Sequence, residues 1–497
     1  MVISHPINIS NILVFFAVSA VILFIAARKF RLENNALALF TSLVMLIAGF
    51  YLLFPSFFAS LCSSSANRML ASIDAFYTVE PGAKLISSLV LLIGFLVSLF
   101  NAHYLENEQR QHAFYPLFLF LIIGILGMLW ATDLLIVYLF SELMNISAYA
   151  LVAFRRKNTT AIEAGFKYLI MSSVASVIVL AGISLFLFTD GTTIAHLITI
   201  DDNWLSLLAA IFILSGFSLK SALVPLHTWL PDAHGKAPSS ISAILSGVMV
   251  QSVFYTMVRI CLAIGMDPGL LGFILLILSV LNILVGNLMG IIQANLKRML
   301  GYSTIAQMGY IVLCFSIGLR NGSMLAIQSG FFIIIAHALA KGLAFLCAGI
   351  FYSQEGIDQV KDIRGARTHP IFTFIVFTAA VFSLSAIPPF PGFTGKWTAL
   401  TSVFAAGDPL AFWIALAFLI GSLLAFGYYL PLLVNLSSRF LGRDMQADNR
   451  ATSKTLKVWM KVPTALLLLS ILILIIFPQV VIDNTLHAAR YLLEMVK

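Results

Sequence analysis

Glu142, Lys220, Gln251, His337, Lys341 and Lys396 are polar residues set inside or beside long apolar runs. A lysine at mid-bilayer costs about 2.5–3.5 kcal/mol on insertion scales, so a chain that keeps several needs partners or water-filled cavities for them. Glu142, in LFSELMNISAYAL, is the one glutamate near the middle of such a run, and Lys220 lies just before Pro225 in SLKSALVPLHTWLPDAHGKAPSS. At roughly 1.5 Å per helical residue, Glu142, Gln251 and His337 fall about ten to thirteen residues into their runs, near the midplane. His337 and Lys341 are four apart and share a helix face. Titratable groups at similar depth can form a row parallel to the membrane, and the chemistry open to such a row is proton transfer.

Other charges have plainer roles. Lys167 lies one turn inside a span end, where lysine can also snorkel. Arg259 is placed near the end of its span and reads as an interfacial anchor. A lone histidine such as His337 is often a packing residue, but its shared face with Lys341 argues for function. Asp232 and His234 are expected to cap or pin the chain reversal after Pro225.

The elements that carry these residues must be membrane helices. Of 497 residues, 60% are hydrophobic and 10% charged, far from the composition of a soluble domain. The net charge of +8 comes without a basic cluster interleaved with aromatics and without zinc-finger spacing, which excludes nucleic acid as partner. Cys62, Cys261, Cys314 and Cys347 lack ligand spacing, so no metal site and no cofactor are expected, and they read as small apolar core residues. The start, MVISHPINISN, lacks a positive n-region, and the first apolar run is expected to remain as a span.

Apolar runs predict an all-α polytopic protein with 14 transmembrane helices, near 8–27, 36–60, 84–101, 113–130, 132–154, 163–189, 204–224, 238–264, 269–292, 299–319, 324–352, 371–387, 410–436 and 461–482. Span 7 is interrupted by Pro225 and Pro231 and span 12 by IPPFPGF from Ile387 to Phe393. Alternate loops, including Arg28, Arg155, Arg156, Lys157, Lys297, Arg298 and the run from Arg439 to Lys461, carry 19 Lys and Arg; the opposite side carries 5 and the acidic loop TDGTTIAHLITIDDNW. The positive-inside bias therefore puts both termini outside.

The stretch Lys220-SALV-Pro225-Leu-His227-Thr-WLPDAHGKAP closely resembles the signature of the antiporter-like proton-conducting subunits of respiratory complex I, membrane-bound energy-converting hydrogenases and Mrp-type antiporters. The likeness continues through Glu142, EAGFKYLI, NLKRMLGYSTIAQMGY, HALAKGLAFL and PPFPGFTGKW, roughly residues 110 to 410. It implies two inverted five-helix repeats, spans 4–8 and 9–13, with helices 7 and 12 broken to bring backbone dipoles and a lysine to a hydrated cavity. The implied units are 1–110 (spans 1–3), 111–265 and 266–437 (the repeats), and 438–497 (basic loop, span 14 and C-terminus). The family's glutamate and lysine map to Glu142 and Lys220, and its span 12 ionisable residue to Lys396. The resemblance implies that Glu142 controls the charge of Lys220, that His337 with Lys341 passes the proton laterally through water, and that Lys396 gates its outward release. Lys167, His227 and Gln251 take secondary places.

Gln251 departs from the pattern, because many complex I members have a titratable residue there and an amide carries no charge at neutral pH. It weighs toward the hydrogenase-like or Mrp-like branches. The reading that results is a proton-translocating membrane subunit of a redox-driven complex, NADH:quinone oxidoreductase-like or energy-converting hydrogenase-like, in a prokaryotic inner membrane, beside other membrane subunits that include further antiporter-like ones. Its alternatives are a subunit of a cation/proton antiporter, with Na⁺ as a second candidate ion, or of a proton-driven inorganic-carbon uptake system, and a non-conducting scaffold.

Overall fold

The computed structural model describes residues 9–30, 32–54, 74, 76–108, 110–189, 204–365, 371–437 and 456–496. Among them the regular elements are helices: α1 (Ile9–Phe30), α2 (Asn34–Leu53), α3 (Pro81–Tyr104), α4 (Gln111–Trp130), α5 (Leu134–Val152), α6 (Thr159–Thr189), α7 (Trp204–Lys220), α8 (Trp229–Lys236), α9 (Ser239–Ala263), α10 (Pro268–Ile291), α11 (Leu296–Asn321), α12 (Met324–Glu355), α13 (Ile371–Leu384), α14 (Pro391–Ala405), α15 (Ala411–Ser437), α16 (Val458–Ile476) and α17 (Gln479–Glu494). Twelve are long and apolar enough to cross a membrane, while α7 and α13 are apolar but shorter. Arg31, Cys62, Arg68, the acidic loop over 190–203, Arg367 and the basic run from Arg439 to Lys454 lie outside the described residues.

Helix ends follow local chemistry. Asp133 accepts from the Leu135 and Ile136 amides at the start of α5, and Asn295 accepts from the Arg298 amide at the start of α11. Gly322 and Gly356 close α11 and α12 in the left-handed conformation that glycine adopts without penalty. The central windows of α9, α11 and α12 are buried throughout and form the middle of the bundle. Val18, Leu43, Phe273, Leu423 and Leu469 point outward from the flanking helices, as a lipid-facing wall requires.

Both expected helix breaks are present, and they are built alike. After α7, Ser221 N–H donates to Phe217 O, Ala222 N–H to Leu219 O, Leu223 N–H to Ser218 O and Leu226 N–H to Leu223 O. After α13 the same four bonds recur, from Ser385 to Val381, Ala386 to Ser383, Ile387 to Phe382 and Phe390 to Ile387. Each is a Schellman closure, in which a left-handed residue lets the chain satisfy carbonyls of the last turn. That residue is alanine both times, Ala222 at φ 54° and Ala386 at φ 57°. A second correspondence lies in the helix crossings. A Cβ on Gly124 would stand 2.5 Å from the Met144 backbone nitrogen, and one on Gly286 would stand 2.5 Å from that of Ala306, so α4 meets α5 as α10 meets α11.

The boundaries differ from the sequence expectation where proline or the closures intervene. Span 2, expected to reach residue 60, ends as α2 at Leu53, before Pro55. The last span ends at Ile476 rather than near 482 because Pro478 follows, and the chain restarts as α17, an amphipathic helix the apolar count does not register. α17 packs against α3 and α12, with Gln328 Nε2 donating to Ile482 O at 3.2 Å.

Candidate functional site

Lys220 is the last residue of α7, immediately before the closure centred on Ala222. Its Nζ lies 2.8 Å from Glu142 Oε1 and donates to Ser141 Oγ at 2.9 Å, both on α5. The Ser176 hydroxyl on α6 donates to the same glutamate oxygen. The rings of Tyr138 and Phe217 stand with centroids 5.9 Å from the ammonium, and the carbonyl end of α7 adds a favourable dipole. Trp229 closes the break from the other side: its Nε1–H donates to Leu219 O at 2.9 Å and its ring stacks on Tyr168. The two partners are unequally covered. The lysine side chain is 1% exposed and the glutamate 27%, so the carboxylate taken from the sequence as buried is only half-buried. The reason is its face of α5, which also carries the exposed Leu139 and Ile146.

A second group gathers around the middle of α9. The segment Leu245–Met249 widens into a π-helical turn, a local expansion common where helices do chemistry. His337 Nε2 lies 3.2 Å from Ser246 O, and Gln251 Nε2 donates to Gly247 O at 2.7 Å. Gln251 Oε1 and His337 Nδ1 are buried without a hydrogen-bond partner among the described residues. Ser246 Oγ meets Thr304 Oγ1 at 2.6 Å. Lys341, one turn beyond His337 on α12, is fully buried and donates to Leu300 O at 2.7 Å. No carboxylate among the described residues pairs with it.

Lys396 forms the third group. It is buried on α14, its Nζ lies 3.9 Å from the centroid of the Tyr310 ring, and it makes no hydrogen bond among the described residues. Lys396, His337, Gln307 and Ser383 line one small cavity of about 10 Å³, close to the space one water needs. Gln307 Nε2 donates to Leu384 O, the carbonyl that ends α13 at its break. Gly392 is obligatory there, since a Cβ would fall 1.7 Å from Ser383 O. His337 and Lys396 are thus brought together; no direct hydrogen bond among the described residues joins either to Lys220.

The remaining residues lie apart. Lys167 is half-exposed and pairs with Glu163 at 2.9 Å and Asp232 at 3.5 Å, and Asp232 also pairs with Arg298 at 3.2 Å. Asp232 therefore ties α8 to α6 and α11, in keeping with a pinning role. His227 is half-buried, with Nδ1 3.3 Å from Pro225 O. His234 is buried and stacks on Phe345. Arg259 is no interfacial anchor. It is buried and donates to Met128 O, Leu129 O and Ala131 O, because the last carbonyls of α4 have no helical donors and need one. Lys297 is no loop residue either: it sits buried in the first turn of α11 and donates to Ala237 O at 2.6 Å. Asn295, a readable N-cap two residues earlier, marks that helix start. Ser141, Ser176, Gln307 and Tyr310 carry no distinguishing sequence signal, since hydroxyls and amides in apolar helices commonly bond their own backbone.

Residues 131–425 match the family described as NADH:quinone oxidoreductase/Mrp antiporter, TM, which is more than half of the chain. The chain belongs to this family. NADH-quinone oxidoreductase subunit N of Desulforudis audaxviator (strain MP104C) is 32% identical over 429 residues, 83% of this chain and 84% of the relative. F(420)H(2) dehydrogenase subunit N of Methanosarcina mazei is 30% identical over 354 residues, 68% of this chain and 70% of the relative. A chain of the membrane-bound sulfane sulfur reductase, an archaeal respiratory membrane complex, shares the fold with a TM-score of 0.84 over 98% of both chains, at 21% identity. The antiporter-like chain is a multi-span membrane protein, and the Desulforudis and Methanosarcina relatives are both subunit N chains.

Proposed function

We propose that this antiporter-like chain is a proton-translocating membrane subunit of a redox-driven complex of the NADH:quinone oxidoreductase or F420H2 dehydrogenase kind, in a prokaryotic inner membrane. The observation that carries the reading is the Lys220–Glu142 contact at the end of a broken helix, with Lys341 and Lys396 buried beyond it and without a carboxylate partner among the described residues. With the pair closed, Glu142 balances the ammonium charge. When the half-exposed glutamate moves away, the charge stands uncompensated in an apolar setting and the proton moves on. Water beside Gln251 and His337 carries it across the middle of the chain, Lys341 sets the local charge, and Lys396 controls its outward release. Lys167 and His227 line the approach at the other end of the break. Redox chemistry belongs to other subunits, and the open α5 face bearing Glu142 suits a neighbouring membrane subunit.

In this reading α7 with α8 and α13 with α14 each make one discontinuous span, for fourteen in all. The matched closures and the matched glycine crossings support two five-helix repeats, over 111–265 and 266–437, flanked by 1–110 and 438–497. The loop charges support external termini. The test is purification of the assembled complex from its native membrane, followed by reconstitution. Quinone-linked electron transfer coupled to proton movement is expected. Copurification with cation/proton exchange subunits alone, and Na⁺/H⁺ exchange without electron transfer, would replace this reading with the antiporter one.

A further inference from the structure

The end of the bundle bearing the Arg155 loop holds a polar cavity of about 600 Å³ between the α3–α4 and α5–α6 connections and the end of α12. Arg110, Arg155, Arg156 and Lys157 line it, with Glu108 as the one acidic residue among the described lining residues. Glu108 is already engaged, its Oε1 accepting from Arg155 Nε at 2.6 Å. The Arg155 guanidinium is further held over the rings of Tyr352 and Tyr104, at 5.0 and 5.7 Å. With that pair satisfied, Arg110, Arg156 and Lys157 remain as exposed cations without a carboxylate partner among the described residues. Asn158 and Thr159, at the start of the 31-residue helix α6, complete the wall and turn its positive end toward the same space.

The cavity therefore suits a phosphate-bearing anion, and its surroundings indicate the source. Directly inward from Asn158 and Thr159, α6 presents Ile162, Phe166, Ile170, Val174 and Val177 to the outside, one exposed stripe at helical spacing. From Ile162 to Val177 the stripe runs about 22 Å along the axis, of the order of one leaflet's hydrocarbon depth and more. We propose that this cavity binds the headgroup of an anionic phospholipid, whose acyl chains lie along the exposed stripe of α6. Basic pockets between helices at a membrane surface take such headgroups by charge, and the apolar stripe supplies what a free phosphate lacks.

The test uses the full chain in zwitterionic detergent, titrated with phosphatidylglycerol or phosphatidylcholine and read by native mass spectrometry for retained lipid. The wild type should retain phosphatidylglycerol at least about tenfold better. Arg156→Glu/Lys157→Glu should lose that preference, and Arg156→Gln/Lys157→Gln most of it, with unchanged thermal unfolding in phosphatidylcholine. Arg28→Glu/Lys29→Glu makes the same charge change at the same end of the bundle and should keep the preference. Equal losses in the two Glu pairs would reduce the effect to general surface charge and overturn the site. Absence of any preference in the wild type would do the same. Displacement by millimolar inorganic phosphate would make the ligand a free anion, and loss of the lipid only on complex assembly would give the cavity to an acidic partner segment; either result overturns the lipid assignment.

Discussion

Lys220 and Glu142 meet at 2.8 Å between α7 and α5, but the lysine side chain is almost wholly buried and the glutamate is 27% exposed. The ammonium has Ser141 as its other hydrogen-bond partner, while the carboxylate also accepts from Ser176. In the proposed mechanism the less covered glutamate is the partner that leaves, and a change on the open α5 face would reach the lysine through it.

Gln251 should act through water. Its amide nitrogen donates to Gly247 O, while its carbonyl oxygen is buried and accepts no hydrogen bond among the described residues. Gln251→Leu removes an acceptor able to hold water in the group that includes His337 and should slow proton flux strongly in the assembled complex. Gln251→His, which restores a titratable group, should be tolerated. Flux measurements in proteoliposomes decide this, and wild-type flux in Gln251→Leu would mean that no proton passes between the two halves.

Lys396 should be replaceable in packing but not in charge. Its ammonium sits over the face of Tyr310, which attracts cations and repels carboxylates. Lys396→Met should assemble normally and block flux, whereas Lys396→Glu should also lower thermal stability. Unchanged flux in both variants would remove Lys396 from the path.

The two closures predict a pattern of tolerance. At φ 54° and 57°, Ala222 and Ala386 occupy a conformation that costs an L-residue about 1–2 kcal/mol. Ala222→Gly and Ala386→Gly should assemble as well as wild type or better. Ala222→Val and Ala386→Val, β-branched where φ is positive, should reduce assembled protein. Equal yields of Gly and Val variants would show that the closures are not as described.

Arg259 should matter for folding. Arg259→Met strips the donors from three carbonyls at the end of α4 and leaves Glu80, 3.9 Å away, without its cation. The loss of one partner from a buried polar group of this kind costs about 3–5 kcal/mol. A marked drop in the unfolding temperature of the purified chain is expected; an unchanged one would contradict the capping role.

The membrane class, both breaks and the Glu142–Lys220 pair were legible because each leaves a compositional mark: apolar runs, prolines between them, and charges where charge is costly. The closures themselves were not, since Ser-Ala-Leu and Ser-Ala-Ile look ordinary and their meaning lies in backbone bonds. Arg259 and Lys297 were misplaced for one reason. Position along a span suggests an interface, but it does not reveal which backbone carbonyls, at the end of α4 or at Ala237, lie within reach across the bundle. The meeting of His337 with Lys396 depends on how α12 packs against α14, which no spacing within either helix encodes.

Paired charges are the centre of the proposed mechanism, and Glu142→Gln isolates them, because it keeps the side chain's shape while removing the countercharge of Lys220. Proton flux would be measured in the reconstituted complex, beside Lys220→Ala and the double variant, with assembly checked for each. Strongly reduced flux is expected in both single variants and no further loss in the double one, since both residues serve one step. Wild-type flux in assembled Glu142→Gln would rule out the paired-charge mechanism.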